Sequence, residues 1–161
     1  MKTRKVFTAV AVAMALLAWQ MLQPIFLVQG EGRTLLALPL SETQAFTIRF
    51  IHSVQKTPVE ENLVVDPAAR DGAGEFRLLS TRYQSFGVGL PFMEGEGEFH
   101  EEGEYFVFDH MDRHFPSLTL RTGVGTQLTL RTKAKTLRLY ELFPPGARID
   151  LRIARAYEAV F

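Results

Sequence analysis

The feature that most constrains this chain lies at its start. Val6 to Val28 reads VFTAVAVAMALLAWQMLQPIFLV, 23 residues without a charge. As one helix it would extend roughly 35 Å, enough to cross a hydrocarbon core about 30 Å thick. Lys2, Arg4 and Lys5 precede the run, and no acidic residue occurs before Glu31. Positive charge is retained on the cytoplasmic side, so the asymmetry directs the remainder of the chain outward. The expectation is a signal anchor over residues 1–30, a single pass through a bacterial cytoplasmic membrane with Val6–Val28 against lipid. Residues 33–161 then form an exported domain, periplasmic or extracellular. A cleaved signal peptide stays open as the alternative. Ala13-Met14-Ala15 has the small-x-small pattern but leaves a short apolar core before it, and Leu16 is not small at the corresponding position before Ala18. Gln20, Gln23 and Pro24 weaken the outer end of a helix over this run.

The chain has no cysteine, which excludes disulfides, thiolate metal sites, a cysteine nucleophile and a lipidated cysteine anchor. Of its 18 basic residues three precede the apolar run, leaving 15 against 18 acidic in the body. A mildly acidic domain without a basic block lacks the electrostatic footprint of a nucleic-acid binder.

Beyond residue 33 the apolar pattern changes to alternation, the period of half-buried strands. Phe46, Ile48 and Phe50 alternate with polar or small neighbours. Val59, Leu63 and Val65 share a face, as do Leu118 with Leu120, Leu128 with Leu130, and Ile149 with Leu151 and Ile153. Thr34–Leu38, Glu75–Tyr83, Tyr105–Phe108 and Thr136–Leu142 are further strand segments. Turn signals separate them: Asp66-Pro67, Asp71-Gly72, Gly87-Val88-Gly89, Gly123-Val124-Gly125 and Pro144-Pro145-Gly146. About nine short strands at this spacing predict an all-β domain, a small antiparallel sandwich or a partly open barrel. A short repeat, Leu118-Thr119-Leu120-Arg121-Thr122 and Leu128-Thr129-Leu130-Arg131-Thr132, predicts a hairpin with Leu120 opposite Leu130.

Parity places two polar residues among the apolar ones. His52 continues the series of Phe46, Ile48 and Phe50, and Glu61 lies between Val59 and Leu63. If the two stretches form a hairpin, both side chains lie on the apolar side near one end, where a carboxylate needs a partner. Ser53 and Thr57 are at hand in the connecting loop. The pair fits either a device that pins the loop or a ligand-binding site. A Ser53–His52–Glu61 catalytic group is disfavoured, since neighbours on a strand point to opposite faces.

His52-Ser53-Val54 followed by Thr57-Pro58-Val59-x-Glu61, and later Ser85-Phe86-Gly87-x-Gly89-Leu90-Pro91, resembles an uncharacterised bacterial family, domain of unknown function 1850. The resemblance runs from about Arg33 to the C-terminus. It implies a small exported or membrane-anchored domain whose genes lie beside those of tripartite ATP-independent periplasmic transporters of the TAXI class, and hence transporter membrane or receptor subunits as partners. It implies no activity. The motif positions are His52, Ser53, Thr57, Pro58, Glu61, Phe86, Gly87, Gly89 and Pro91. A loop carrying Gly87 and Gly89 that folded back over the His52/Glu61 end would wall a small pocket with Tyr83 and Phe86.

Other clusters are ordinary surface by the same reasoning. His110 and His114 share a face only in a helix, and Phe115-Pro116 argues for a loop, so no metal is assigned. Glu94, Glu96, Glu98, Glu101, Glu102 and Glu104 read as a charged hairpin edge. Arg121, Arg131 and Arg138 are placed on one wet face. No cofactor is implied. The expected function is that of an extracytoplasmic accessory or interaction domain associated with a TAXI-type transporter. The alternatives are a small-ligand binding module at the His52/Glu61 end, and a hydrolase with Glu61 or His52 as acid or base.

Overall fold

The computed structural model describes residues 2–41, 43–68, 74–85 and 97–160. A helix, α1 (Lys2–Met21), precedes twelve strands: β1 (Pro24–Gly30), β2 (Arg33–Pro39), β3 (Gln44–Ile51), β4 (Pro58–Asp66), β5 (Glu75–Tyr83), β6 (Glu98–Glu102), β7 (Tyr105–Asp109), β8 (Arg113–Phe115), β9 (Ser117–Arg121), β10 (Thr129–Thr132), β11 (Thr136–Arg138) and β12 (Arg148–Arg155). One helical turn, α2 (Leu139–Leu142), follows β11, and a 3-10 helix over Ala156–Ala159 follows β12. Sheet A has the order β2-β1-β12-β9. Sheet B has the order β11-β10-β3-β4-β5-β7-β6, with β8 also pairing to β5. Every pairing is antiparallel. The fold is the expected antiparallel two-sheet one.

The sheets are joined by aromatic side chains. Phe26 of β1 meets Phe46 of β3 at 5.1 Å and Phe76 of β5 at 5.7 Å between ring centres, and Phe46 meets Phe76 edge-on at 5.8 Å. Around this trio lie Ile48, Val59, Leu63, Leu130, Ile149 and Leu151, all buried. The alternation of β3, β4 and β12 delivers these residues to the interior.

The N-terminal apolar run is corrected by the structure. It is not one element. The helix stops at Met21, and Pro24–Gly30 is a strand held between β2 and β12. Phe26 and Val28 face the main core, while Ile25 and Leu27 are covered from the other side by Ala154, Ala156 and Ala159. A strand buried on both faces shows no alternation, so its sequence cannot be told from the end of a membrane helix. Pro24 marks the change, because a proline inside a helix removes a hydrogen bond and crowds the preceding turn.

The repeat hairpin is a second correction. β9 pairs with β12 in sheet A, whereas β10 pairs with β3 and β11 in sheet B. Leu130 stands opposite Ile48, not Leu120. Residues 123–128 carry the chain from one sheet to the other, helped by left-handed backbone at Gly125 (φ 71°). Identical pentapeptides share a side-chain parity, and parity does not choose a partner strand. Consequently Arg121 is exposed on sheet A while Arg131 and Arg138 are exposed on sheet B, so the three do not form one wet face.

Candidate functional site

The β3–β4 hairpin forms as expected, and its register decides the fate of the polar pair. Phe50 faces Val59 and Ile48 faces Glu61. His52 lies beyond the last rung, its N–H donating to the Thr57 carbonyl at 2.8 Å. His52 and Glu61 thus share a side by parity, yet Glu61 is level with Ile48. Four residues of strand separate the two rows, about 13 Å at 3.3 Å per residue. They do not meet as a pair.

His52 has a role of its own. Its buried imidazole Nδ1 accepts from the N–H groups of Val54 at 3.3 Å and Gln55 at 3.1 Å, and its carbonyl accepts from Lys56 N–H at 2.9 Å. A ring nitrogen accepting two amides carries no hydrogen, so the tautomer bears its proton on Nε2. His52 ties the turn in which Lys56 adopts a left-handed conformation (φ 57°). Ser53 is exposed on this turn. Ser53, His52 and Glu61 do not converge, and no hydrolytic group is assembled from them.

Thr57 and Ser85 bring the two sequence motifs together. Their hydroxyls are 2.9 Å apart, joining the β3–β4 turn to the chain two residues past the end of β5. Phe86, Gly87, Gly89 and Pro91 lie outside the described residues, as do Glu94 and Glu96. Tyr83 is fully buried opposite Val59, with its ring 5.9 Å from Phe106 and 6.5 Å from Phe108. Burial raises its phenol above the usual range.

The polar position that stands out is Glu61. One row runs across the interior face of sheet B through Leu130, Ile48, Glu61, Thr81 and Phe108. Thr81 is fully buried, and its Oγ1 has no hydrogen-bond partner among the described residues. A carboxylate and a hydroxyl therefore sit side by side between apolar residues. Burial holds the Glu61 carboxyl above its ordinary 4.5, opposed by the positive charge of Arg113. Parity along β5 reveals Thr81 in the sequence as well, since it alternates with Tyr83. Arg113 comes from a three-residue strand too short to carry a pattern.

The sign of that shift makes a prediction. A carboxyl that binds its proton more tightly when folded gives greatest stability below its unfolded value. Stability then declines as pH rises from 4.5 through the folded value, and the penalty is constant above it. Glu61→Gln removes the ionisation. Its melting midpoint at neutral pH is expected to rise by about 2–4 °C, what a gain on the order of 1 kcal/mol gives at this chain length. The gain should vanish below pH 4.5. Thermal melts across this range check it, and a gain independent of pH would refute the assignment to charge burial.

The histidines beyond the hairpin part company. His110 is an exposed left-handed turn residue (φ 55°) and faces Glu98 at 3.5 Å. His100 faces Asp109 at 3.7 Å. His114, on β8, lies between two carboxylates: Nδ1 is 2.7 Å from Glu75 Oε1 and Nε2 is 3.0 Å from Asp112 Oδ1. Among the described residues no group of three or more His, Asp or Glu side chains is placed to hold a metal ion. The acidic residues of β6 are exposed, and β6 is an edge strand of sheet B among the described residues. Charge at such an edge opposes pairing with another chain.

The architecture defines a class: an antiparallel two-sheet β domain carried behind one helix apolar enough to cross a membrane. Within that class, the family model described as domain of unknown function (DUF1850) matches residues 46–139, more than half of the chain, and the protein belongs to this family. The match spans β3 to β11 and both sequence motifs. It is narrower than the stretch from Arg33 to the C-terminus suggested by the motifs, and it leaves β1, β2 and β12 outside. No curated protein and no solved structure matches the chain.

Proposed function

We propose that this protein is a membrane-anchored, extracytoplasmic interaction domain that works beside a TAXI-type solute transporter. The observation supporting the anchor is that α1 is exposed at every position from Arg4 to Gln20, with none of its apolar surface packed on the domain. A core helix of a soluble protein buries its apolar stripe. An apolar helix left uncovered by its own domain requires another apolar medium, and the bilayer provides it. The basic residues at the start of α1, Lys2, Arg4 and Lys5, and their absence just after it support an outward domain. The transporter as partner is inferred from the gene neighbourhood associated with the family. An anchor confines the domain to the membrane plane and raises its effective concentration near a membrane subunit.

The test is affinity capture of the full-length protein from native membranes, with and without α1 replaced by a cleavable leader. Transporter membrane or receptor subunits are expected with the anchored form, and are lost with the soluble one. Recovery of the anchored form free of such subunits would overturn the transporter assignment. A second reading, binding of a small polar solute, has one observation in its favour: the buried Thr81 hydroxyl beside Glu61. A solute that raises the melting midpoint of the wild type but not of Glu61→Gln would establish it instead.

A further inference from the structure

The junction between α1 and the domain is not a flexible tether. Two residues, Leu22 and Gln23, separate the helix from β1. The last turn of α1 is closed by Leu22 N–H on the carbonyls of Ala18 and Trp19, both at 3.2 Å, and by the Gln23 side-chain amide on Trp19 O at 3.1 Å. The C-terminal segment then locks onto it. Arg155 Nη1 donates to Leu22 O at 2.9 Å, and Ala156 N–H donates to Gln23 O at 3.0 Å. A guanidinium on the last carbonyls of a helix satisfies groups that have no partner in the helix and complements its dipole. The 3-10 helix is fixed in turn, with Glu158 accepting from Arg155 N–H at 2.8 Å and pairing with Arg152, and Thr34 Oγ1 donating to Ala159 O at 3.3 Å.

These bonds set a depth. Arg4 to Met21 is 18 residues, about 27 Å of helix against a hydrocarbon core of about 30 Å. With Arg4 and Lys5 at the inner boundary, Trp19 and Met21 reach the outer one. Arg155 touches the residue after Met21, so the segment from Arg155 onward stands at headgroup level. Its exposed side chains suit that place: Tyr157 is 43% exposed and Val160 66%, beside Leu22 at 56% and Trp19 at 62%. Tyrosine, tryptophan and arginine are the residues that settle at a membrane–water interface.

We infer that the C-terminal 3-10 helix, through Tyr157 and Val160 with Arg155 beneath them, is a lipid-contacting surface that seats this end of the domain on the outer leaflet. The inference rests on the reading of α1 as a membrane anchor. The surface fixes the domain's orientation, with the Val124 end of the sandwich directed away from the membrane. Register supports that direction: Pro24 pairs with Arg155 at one end of sheet A, while Arg148 pairs with Arg121, just before Val124, at the other.

The test uses the full-length chain in vesicles of phosphatidylethanolamine and phosphatidylglycerol carrying a lipid spin label near the headgroup. The wild type reports through Trp19, the only tryptophan. In a Trp19→Phe background, Tyr157→Trp and Val124→Trp report from the two ends of the domain. About twofold quenching is expected for Tyr157→Trp, as for a side chain seated roughly 5–10 Å into the headgroup boundary, and none for Val124→Trp. Quenching of Trp19 with none at Tyr157→Trp would overturn the lipid-contacting surface while leaving the anchor intact. Absence of quenching at Trp19 itself would overturn both. Equal quenching at Tyr157→Trp and Val124→Trp would overturn the fixed orientation.

Discussion

Phe26→Ala is expected to destabilise the β domain by about 3–5 kcal/mol, the range for truncating a fully buried aromatic side chain. Phe26 is buried among Phe46 and Phe76 and is the ring through which sheet A contacts the two aromatic residues of sheet B. Its removal loses area burial and leaves a cavity between sheets that cannot close without moving β1, which is paired on both sides. The variant separates two views of the N-terminal run. Were residues up to Val28 a membrane helix, Phe26 would face lipid and the domain's unfolding would be indifferent to it. Denaturant unfolding of the detergent-solubilised chain, followed by far-ultraviolet circular dichroism at a strand wavelength, distinguishes the cases. A lowered midpoint with unchanged slope is expected, and an unchanged midpoint would return residues 24–30 to the membrane.

The same residues show where sequence reasoning succeeds and stops. Alternation found β3, β4, β9, β10 and β12, because each has one face turned to the core, and period-2 burial is written directly into side-chain order. It failed at β1, where Phe26 and Val28 are covered by sheet B while Ile25 and Leu27 are covered by the C-terminal segment. That second cover comes from residues more than 120 positions away, which no local pattern can announce. It failed at β6, whose residues are all exposed, and at β8, which has three residues. The repeat misled for a related reason. Leu120 and Leu130 both point inward as expected, but one strand crosses to the other sheet, and the choice of neighbour is a tertiary matter.

The site was legible to a similar depth. Parity placed His52 and Glu61 correctly on the apolar side, and the hairpin between them is real. Proximity was not legible, because it depends on which rung closes the turn. The turn includes Thr57, so His52 reaches the loop amides while Glu61 sits two rows inward beside Thr81. A pair imagined as one site is two devices: a histidine that shapes a turn and a desolvated carboxyl within an apolar row.

His114→Ala is the second change expected to have a large effect. Glu75 is buried, and the imidazole facing it is about a fifth exposed, so their contact at 2.7 Å is only partly shielded by water. Removing one partner of a fully buried pair costs roughly 3–5 kcal/mol, and partial exposure here lowers the expectation to about 2 kcal/mol. The site is also where β8 meets β5, with His114 opposite Arg77. The ring lies between Glu75 on one side and Asp112 on the other, and Asp112 in turn faces Arg77 at 3.5 Å. Asp112 is held below the ordinary carboxylate value of 3.8 chiefly by the hydrogen bond from His114; desolvation opposes, and the charges of His114 and Arg77 add to the lowering. A depressed carboxylate contributes stability that is complete above its unfolded value and is lost as pH falls through its folded value. The share due to Asp112 should therefore fade below pH 3.8. The stability difference between wild type and His114→Ala, followed by urea unfolding, should accordingly be larger at neutral pH than in strong acid. Glu75→Gln placed together with His114→Ala should recover part of the loss, because a neutral amide is less costly to bury than a carboxylate deprived of the imidazole that faces it. If the double variant is no more stable than His114→Ala alone, the loss arises from packing at β8 and not from the charge left on Glu75.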